Sequence, residues 1–153
     1  MLSIHHGDLL QSDCTVIGHQ ANCFATMGAG IAKQIAKRYP EAFQTDKEYP
    51  VPVGSRERLG SLSYAWHRDQ RLIFNLYGQY HYGRGKQTDY EAFRSALRSM
   101  FHHLEGMEDQ DFIKVGLPYN IGCGLAGGDW KRIESIIYSV SEQFQRGVHL
   151  YKL

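Results

Sequence analysis

Two glycine-rich turns hold the residues of this chain best suited to chemistry: Met27-Gly28-Ala29-Gly30-Ile31 and Asn120-Ile121-Gly122-Cys123-Gly124-Leu125-Ala126-Gly127-Gly128. Each follows an apolar run of strand type and precedes a helical pattern. Glycine lets a backbone approach a phosphate closely, and the free N–H groups and dipole of the following helix then face the anion. A single turn of this kind is equally what any tight α/β connection needs for left-handed backbone angles. Two of this richness fit the enclosure of a diphosphate. Gly28-Ala29-Gly30 lacks the third glycine of the dinucleotide fingerprint, and no Gly-Lys-Ser/Thr occurs. Dinucleotide redox chemistry and kinase-like phosphate transfer therefore have little support.

The stretch His19-Gln20-Ala21-Asn22 leads into the first turn, at what would be the carboxyl edge of a parallel sheet, where ligands bind. His19 suits an acid, a base or a hydroxyl binder near neutral pH; equally, it suits a buried strand histidine bonded to backbone. Asn22 offers a donor and an acceptor to sugar hydroxyls, or to its own turn. Asp8 can accept from the exocyclic amine of a base or cap a short turn, and residue chemistry alone favours the cap. Tyr77, Tyr80, Tyr82 and Tyr119 have an apolar body and a polar tip, suited to stacking on a base or to any wet edge, and the pattern assigns none of them. Arg68, Arg84 and Lys86 form no dense run and read as solvated surface.

Metal chemistry is not expected. His5-His6 and His102-His103 are adjacent pairs, no His-Glu-x-x-His occurs, and Cys14, Cys23 and Cys123 are odd in number and widely spaced. Reduced thiols without a disulfide framework follow. No basic run followed by an apolar core opens the chain, and no stretch nears the roughly 20 apolar residues that span a bilayer, so a soluble cytoplasmic protein is expected. With 17 Lys plus Arg against 16 Asp plus Glu, no global field attracts nucleic acid or an anionic membrane. Any anion site is local.

The elements that position these turns are legible from periodicity. Apolar runs at Leu2–His6, Thr15–Gln20, Ser61–Trp66, Leu72–Tyr77, Phe112–Pro118 and Val148–Leu153 read as strands, several uninterrupted enough to be buried on both faces. Ile133, Ile136, Ile137, Val140 and Phe144 form one helical stripe with Asp129 as N-cap; Tyr90, Phe93, Leu97, Met100 and Leu104 form a second, opened by Thr88 or Asp89 and closed near Gly106. A third helix runs from Ala29 to Tyr39 and stops at Pro40. Tyr49 to Gly60 reads as an internal loop. With 153 residues at 42% hydrophobic content, one α/β domain over residues 1–153 is expected. Its architecture is a three-layer α/β/α sandwich with a mostly parallel central sheet.

As a set, Gly7-Asp8-Leu9, His19 to Asn22, Met27 to Ala32, Pro118 through Ile121-Gly122-Cys123-Gly124-Leu125 to Trp130, and Val148 to Leu153 resemble macrodomains. The likeness runs in order over nearly the whole chain. It is nearest to the small single-domain branch that contains terminal-ADP-ribose glycohydrolases, antitoxins acting on ADP-ribosylated DNA, and ADP-ribose-1″-phosphate phosphatases. The resemblance implies that Asp8 accepts from the adenine amine, that Tyr151 and Leu153 help wall the adenine, that Asn22 binds the distal ribose, and that Leu9 and Met27 also contact ADP-ribose. Gly28, Ala29, Gly30 and Ile31, with Ile121, Gly122, Cys123, Gly124 and Leu125, would wrap the diphosphate and that ribose. No cofactor is implied.

The glycohydrolases use a lysine at the end of the fourth strand and an aspartate after Gly-Cys-Gly-Leu; Gln79 and Ala126 stand at those positions here, and an amide is not a useful nucleophile. The phosphatase-like members carry a histidine where His19 stands. His19 is therefore expected to orient or protonate the leaving group at the ribose 1″ position, with Asn22 and the second turn holding ribose and phosphate. Two functions follow: hydrolysis of an ADP-ribose derivative at that position, removing a phosphate, an acyl group or a macromolecule, or non-catalytic reading of ADP-ribose. The partner is ADP-ribose or an ADP-ribosylated molecule, nucleic acid only as such a substrate, and the protein is expected to be a monomer.

Overall fold

A computed structural model describes residues 1–83 and 85–153, so the reading of Arg84 lies outside the described residues. The strands are β1 (Leu2–His6), β2 (Val16–Ala21), β3 (Leu62–Trp66), β4 (Leu72–Tyr77), β5 (Val115–Pro118) and β6 (Val148–Lys152). The helices are α1 (Gly30–Arg38), α2 (Pro40–Glu48), α3 (Tyr90–Glu105) and α4 (Trp130–Phe144). One sheet has the order β1-β6-β5-β2-β4-β3, parallel except for β3 against β4. The five parallel strands thus end on the same edge.

The period of two along each strand sorts the side chains between two cores. Val16, Leu72, Phe74, Leu76, Val115, Leu117 and Leu150 pack under Phe93, Leu97 and Met100 of α3 and Ile133, Ile137 and Val140 of α4. Ile17 and Ile73 point the other way, under Ile35 of α1 and Ala42 of α2. Burying each such side chain contributes about 1.5–3 kcal/mol before conformational entropy is charged against it. The three-layer arrangement with a mostly parallel sheet follows directly.

Asp129 caps α4 through Lys131 N and Asp89 caps α3 through Ala92 N. Two expectations change. Phe112 falls in a 3-10 turn, Gln110–Phe112, and β5 begins at Val115. Pro40 ends α1, as expected, but also opens α2 as its first residue, where its missing N–H is no loss. Among the described residues no helix is long and apolar enough to cross a membrane, and no three His, Cys, Asp or Glu gather as a metal site. The three cysteines are free thiols.

Candidate binding cleft

A cleft of about 900 Å³ opens along the carboxyl edge, and each of the five parallel strands contributes to it. Asp8 follows β1, Asn22 follows β2, Gln79 lies two residues past β4, Tyr119 follows β5, and Tyr151 and Lys152 close β6. Asp8, Leu9, Asn22, Met27, Gly28, Ala29, Gly30, Ile31, Ile121, Gly122, Gly124, Leu125, Tyr151 and Leu153 all line it.

The first wall is the turn into α1. Gly30 has φ +56°, and Ala25 and Met27, at +55° and +39°, also sit in the left-handed region. Such backbone costs on the order of 1 kcal/mol for a residue with a Cβ and concentrates at ligand sites. Unlike α3 and α4, α1 has no side chain capping its N-terminus, since Ala29 stands at that position. Its first N–H groups are free for an anion.

The second wall is the turn after β5, with Asn120 at φ +67° and Gly122 at +75°. Gly128 N donates to Gly122 O at 2.9 Å, and a Cβ on Gly128 would lie 2.5 Å from that same oxygen. The turn closes only with glycine there. At Gly116 of β5 a Cβ would fall 2.6 Å from Cys14 Sγ and 2.7 Å from Leu9 Cδ1, so glycine lets the Leu9–Gln11 turn seat beside the cleft.

Asp8 serves as a cap, its Oδ1 accepting from Leu10 N at 2.9 Å, and also lines the cleft. Asn22 Oδ1 accepts from Phe24 N and its Nδ2 donates to Thr26 Oγ1, both at 2.8 Å. That is local turn chemistry, yet each amide atom keeps a second hydrogen-bonding valence.

His19 departs from expectation. It shares the strand face of Ile17, under α2, and does not line the cleft; its Nε2 lies 2.7 Å from Asn75 Oδ1 with no solvent exposure. Burial drives its pKa down to about 4, against the smaller opposing effect of the Asn75 bond. An imidazole so placed reaches no ligand in this cleft. Cys123 also turns away: its thiol points at Ile121 O, 3.4 Å distant, and burial pushes its pKa up to about 11.

Gln20, one residue on from His19, projects from the opposite face. Its Nε2 donates to Gln79 Oε1 at 2.8 Å and to Thr88 Oγ1 at 2.9 Å, while Thr88 Oγ1 donates to Gly122 O at 2.6 Å. One side chain thereby ties the ends of β2 and β4 to the second glycine turn. The His-Gln-Ala-Asn stretch carried this residue, but only the observed register assigns its role. Tyr82 and Tyr119, left unassigned by pattern, both line the cleft. Among the described lining residues Asp8 is the sole carboxylate and Lys152 the sole cation, and none is a histidine.

The macro domain family matches residues 19–137. An uncharacterized 17.5 kDa protein of the tk-vs intergenic region of Enterobacteria phage T4 is 32% identical over 134 residues, covering 84% of this chain and 81% of that protein. A DNA ADP-ribosyl glycohydrolase of Mycobacterium bovis is 26% identical over 149 residues; the match covers 94% of this chain and 39% of that relative. The macrodomain of Mycobacterium tuberculosis DarG superposes with a TM-score of 0.77 at 25% identity, covering 99% of this chain and 97% of the other. Thermosipho africanus DarTG in complex with ADP-ribose shares the fold, with a TM-score of 0.75 at 16% identity over 99% of this chain and 42% of the other.

Proposed function

The chain belongs to the macro domain family, and from that membership we propose that it recognises ADP-ribose, free or attached to a larger molecule, in the cleft between its two glycine turns. The observation that carries this reading is the uncapped N-terminus of α1 facing a second glycine turn across one cleft. Backbone N–H groups there suit a diphosphate without a cluster of cations. Asp8 lies at the end of the cleft shared with Tyr151 and Leu153, and this end takes the adenine, with the carboxylate accepting from the exocyclic amine. The end marked by Asn22, Gln79 and Ala126 takes the distal ribose.

Hydrolysis at the ribose 1″ position is the second reading, favoured by the relative named as a DNA ADP-ribosyl glycohydrolase. In it Asn22 holds the distal ribose. His19 takes no part, being buried outside the cleft. Gln79 supplies no nucleophile and Ala126 no carboxylate, so water attacks C1″ directly as the bond from C1″ to the leaving group breaks, and the proton that water gives up passes by way of an oxygen of the ligand's own phosphate to the leaving group.

Calorimetric titration with ADP-ribose, against NAD and AMP, tests the first reading: selective binding of ADP-ribose is expected, and a folded protein that binds none of the three overturns it. Chromatographic detection of ADP-ribose released from 1″-phosphate, acyl and nucleic-acid conjugates separates turnover from recognition.

A further inference from the structure

Behind the distal-ribose wall lies a second groove, of about 430 Å³, within the range of small-ligand sites. Arg56, Lys86 and Arg132 line it, brought together from far apart in the chain. The Arg56 guanidinium lies 4.0 Å from the centre of the Tyr80 ring and the Arg132 guanidinium 3.8 Å from that of Tyr90. Neither has a carboxylate partner among the described residues. Two carboxylates also line the groove, Asp89 and Glu91, at the start of α3, where Asp89 Oδ1 accepts from Ala92 N. They answer that helix's own dipole.

The wall between groove and cleft is one backbone thick. Gln87 N and Thr88 N donate to Ala126 O at 2.8 and 3.2 Å; Ala126 lines the cleft, whereas Gln87 and Thr88 line the groove. In the ADP-ribose reading, a group attached to the distal ribose at this end lies across that single backbone from the groove that the two arginines line.

Resting on the ADP-ribose reading of the cleft, we propose that this groove binds a second nucleotide unit linked to the distal ribose. A guanidinium lying over a tyrosine ring suits a base on its other side and a bidentate phosphate at its N–H edge. An acidic peptide fits less well, because it brings no base to stack on the open guanidinium faces. The same chemistry has two sources: a nucleic-acid strand carrying the modification, or a chain of ADP-ribose units.

The test is fluorescence anisotropy on the full chain with four labelled probes: an ADP-ribosylated single-stranded DNA oligonucleotide, the same oligonucleotide unmodified, an ADP-ribose trimer, and an ADP-ribosylated acidic peptide. Free ADP-ribose is titrated calorimetrically alongside. The double variant Arg56→Ala/Arg132→Ala, both exposed positions, is compared with wild type and with Arg68→Ala as a surface control. The expected result is an unchanged Kd for free ADP-ribose and for the peptide. For the modified oligonucleotide or the trimer, Kd rises roughly tenfold and its salt slope falls by about 1–2. Loss on one probe alone names that source; loss on both names the shared nucleotide. Equal loss on all probes, loss on the peptide, or loss on none overturns the groove. If wild type fails to bind ADP-ribose while the unmodified oligonucleotide still depends on Arg56 and Arg132, the reading of the cleft fails and the groove stands.

Discussion

His19 and Asn75 face each other across the β2–β4 ladder, with Nε2 of the imidazole 2.7 Å from the amide oxygen and both side chains fully buried. The amide oxygen, which can only accept, puts the proton of a neutral imidazole on Nε2. Asn75 passes the connection on, its Nδ2 donating to Ser63 Oγ and to Ala42 O, each at 3.0 Å. Ser63 Oγ meets the Tyr77 hydroxyl at 2.8 Å, which donates to Asp46 Oδ1 at 2.7 Å, and Asp46 pairs with the buried Arg58. The histidine nearest the first glycine turn is thus the first member of a polar chain holding α2 and the Tyr49–Gly60 loop against the sheet.

That pair predicts acid sensitivity. The folded pKa of His19 is about 4 against an ordinary 6.5. The unfolded chain therefore binds the extra proton between those values, and stability falls as pH drops from about 6.5 toward 4. The contribution reaches roughly 3 kcal/mol, at about 1.4 kcal/mol for each pH unit. Urea titrations at pH 7 and pH 4.5 check this, and His19→Gln should flatten the decline; an equally steep decline in that variant would assign it to other groups.

Replacing His19 by Ala leaves a cavity and strands the Asn75 acceptor, with an expected cost of about 2–4 kcal/mol. ADP-ribose binding by the folded fraction should shift less than threefold. Should His19→Ala keep full stability yet abolish a measured turnover, the buried assignment fails and the catalytic one returns.

Asp8 has two separable jobs. Asp8→Ala should lose the cap, about 1 kcal/mol of stability, together with the adenine contact, raising Kd for ADP-ribose about tenfold. Asp8→Asn keeps an acceptor for Leu10 N and should recover the melting temperature, but not the affinity. Equal affinity in all three proteins would remove Asp8 from the ligand site.

Gly128→Ala should distort the second turn, because its Cβ would fall 2.5 Å from the Gly122 oxygen, a backbone atom that cannot rotate away. We expect about 1–3 kcal/mol of lost stability and weaker ADP-ribose binding, measured by thermal unfolding and calorimetry. Unchanged affinity would show that this turn does not shape the site.

Much of the scaffold was readable because its signals are local. The stripe of Ile133, Ile136, Ile137 and Val140, the Asp129 cap and the glycine turns each state their structure within a few residues. Helix α2 was missed because Pro40 signals the end of one helix and the start of another with the same ring. The burial of His19 was not local information: which strand face lies under α2 depends on Ala42 and Asn75, far off in sequence. Gln20 escaped for the same reason, since its partners Gln79, Thr88 and Gly122 are brought to it only by the β2–β4 pairing and the turn after β5.

The two glycine turns spring from β2 and β5, which are immediate neighbours in the sheet, Val16 opposite Val115 and Ile17 opposite Gly116. Those two pairs join the strands away from the carboxyl edge, so the ends that carry the turns are not themselves spaced by a rung of the sheet. What fixes the jaws is the Gln20 side chain at the end of β2, bonded to Thr88, which is bonded in turn to Gly122 of the second turn, so the cleft is preformed. Capture of a ligand should then resemble a coin entering a slot: one kinetic phase, with an observed rate that climbs linearly with ligand concentration and never saturates, and a lifetime set by the ligand's grip.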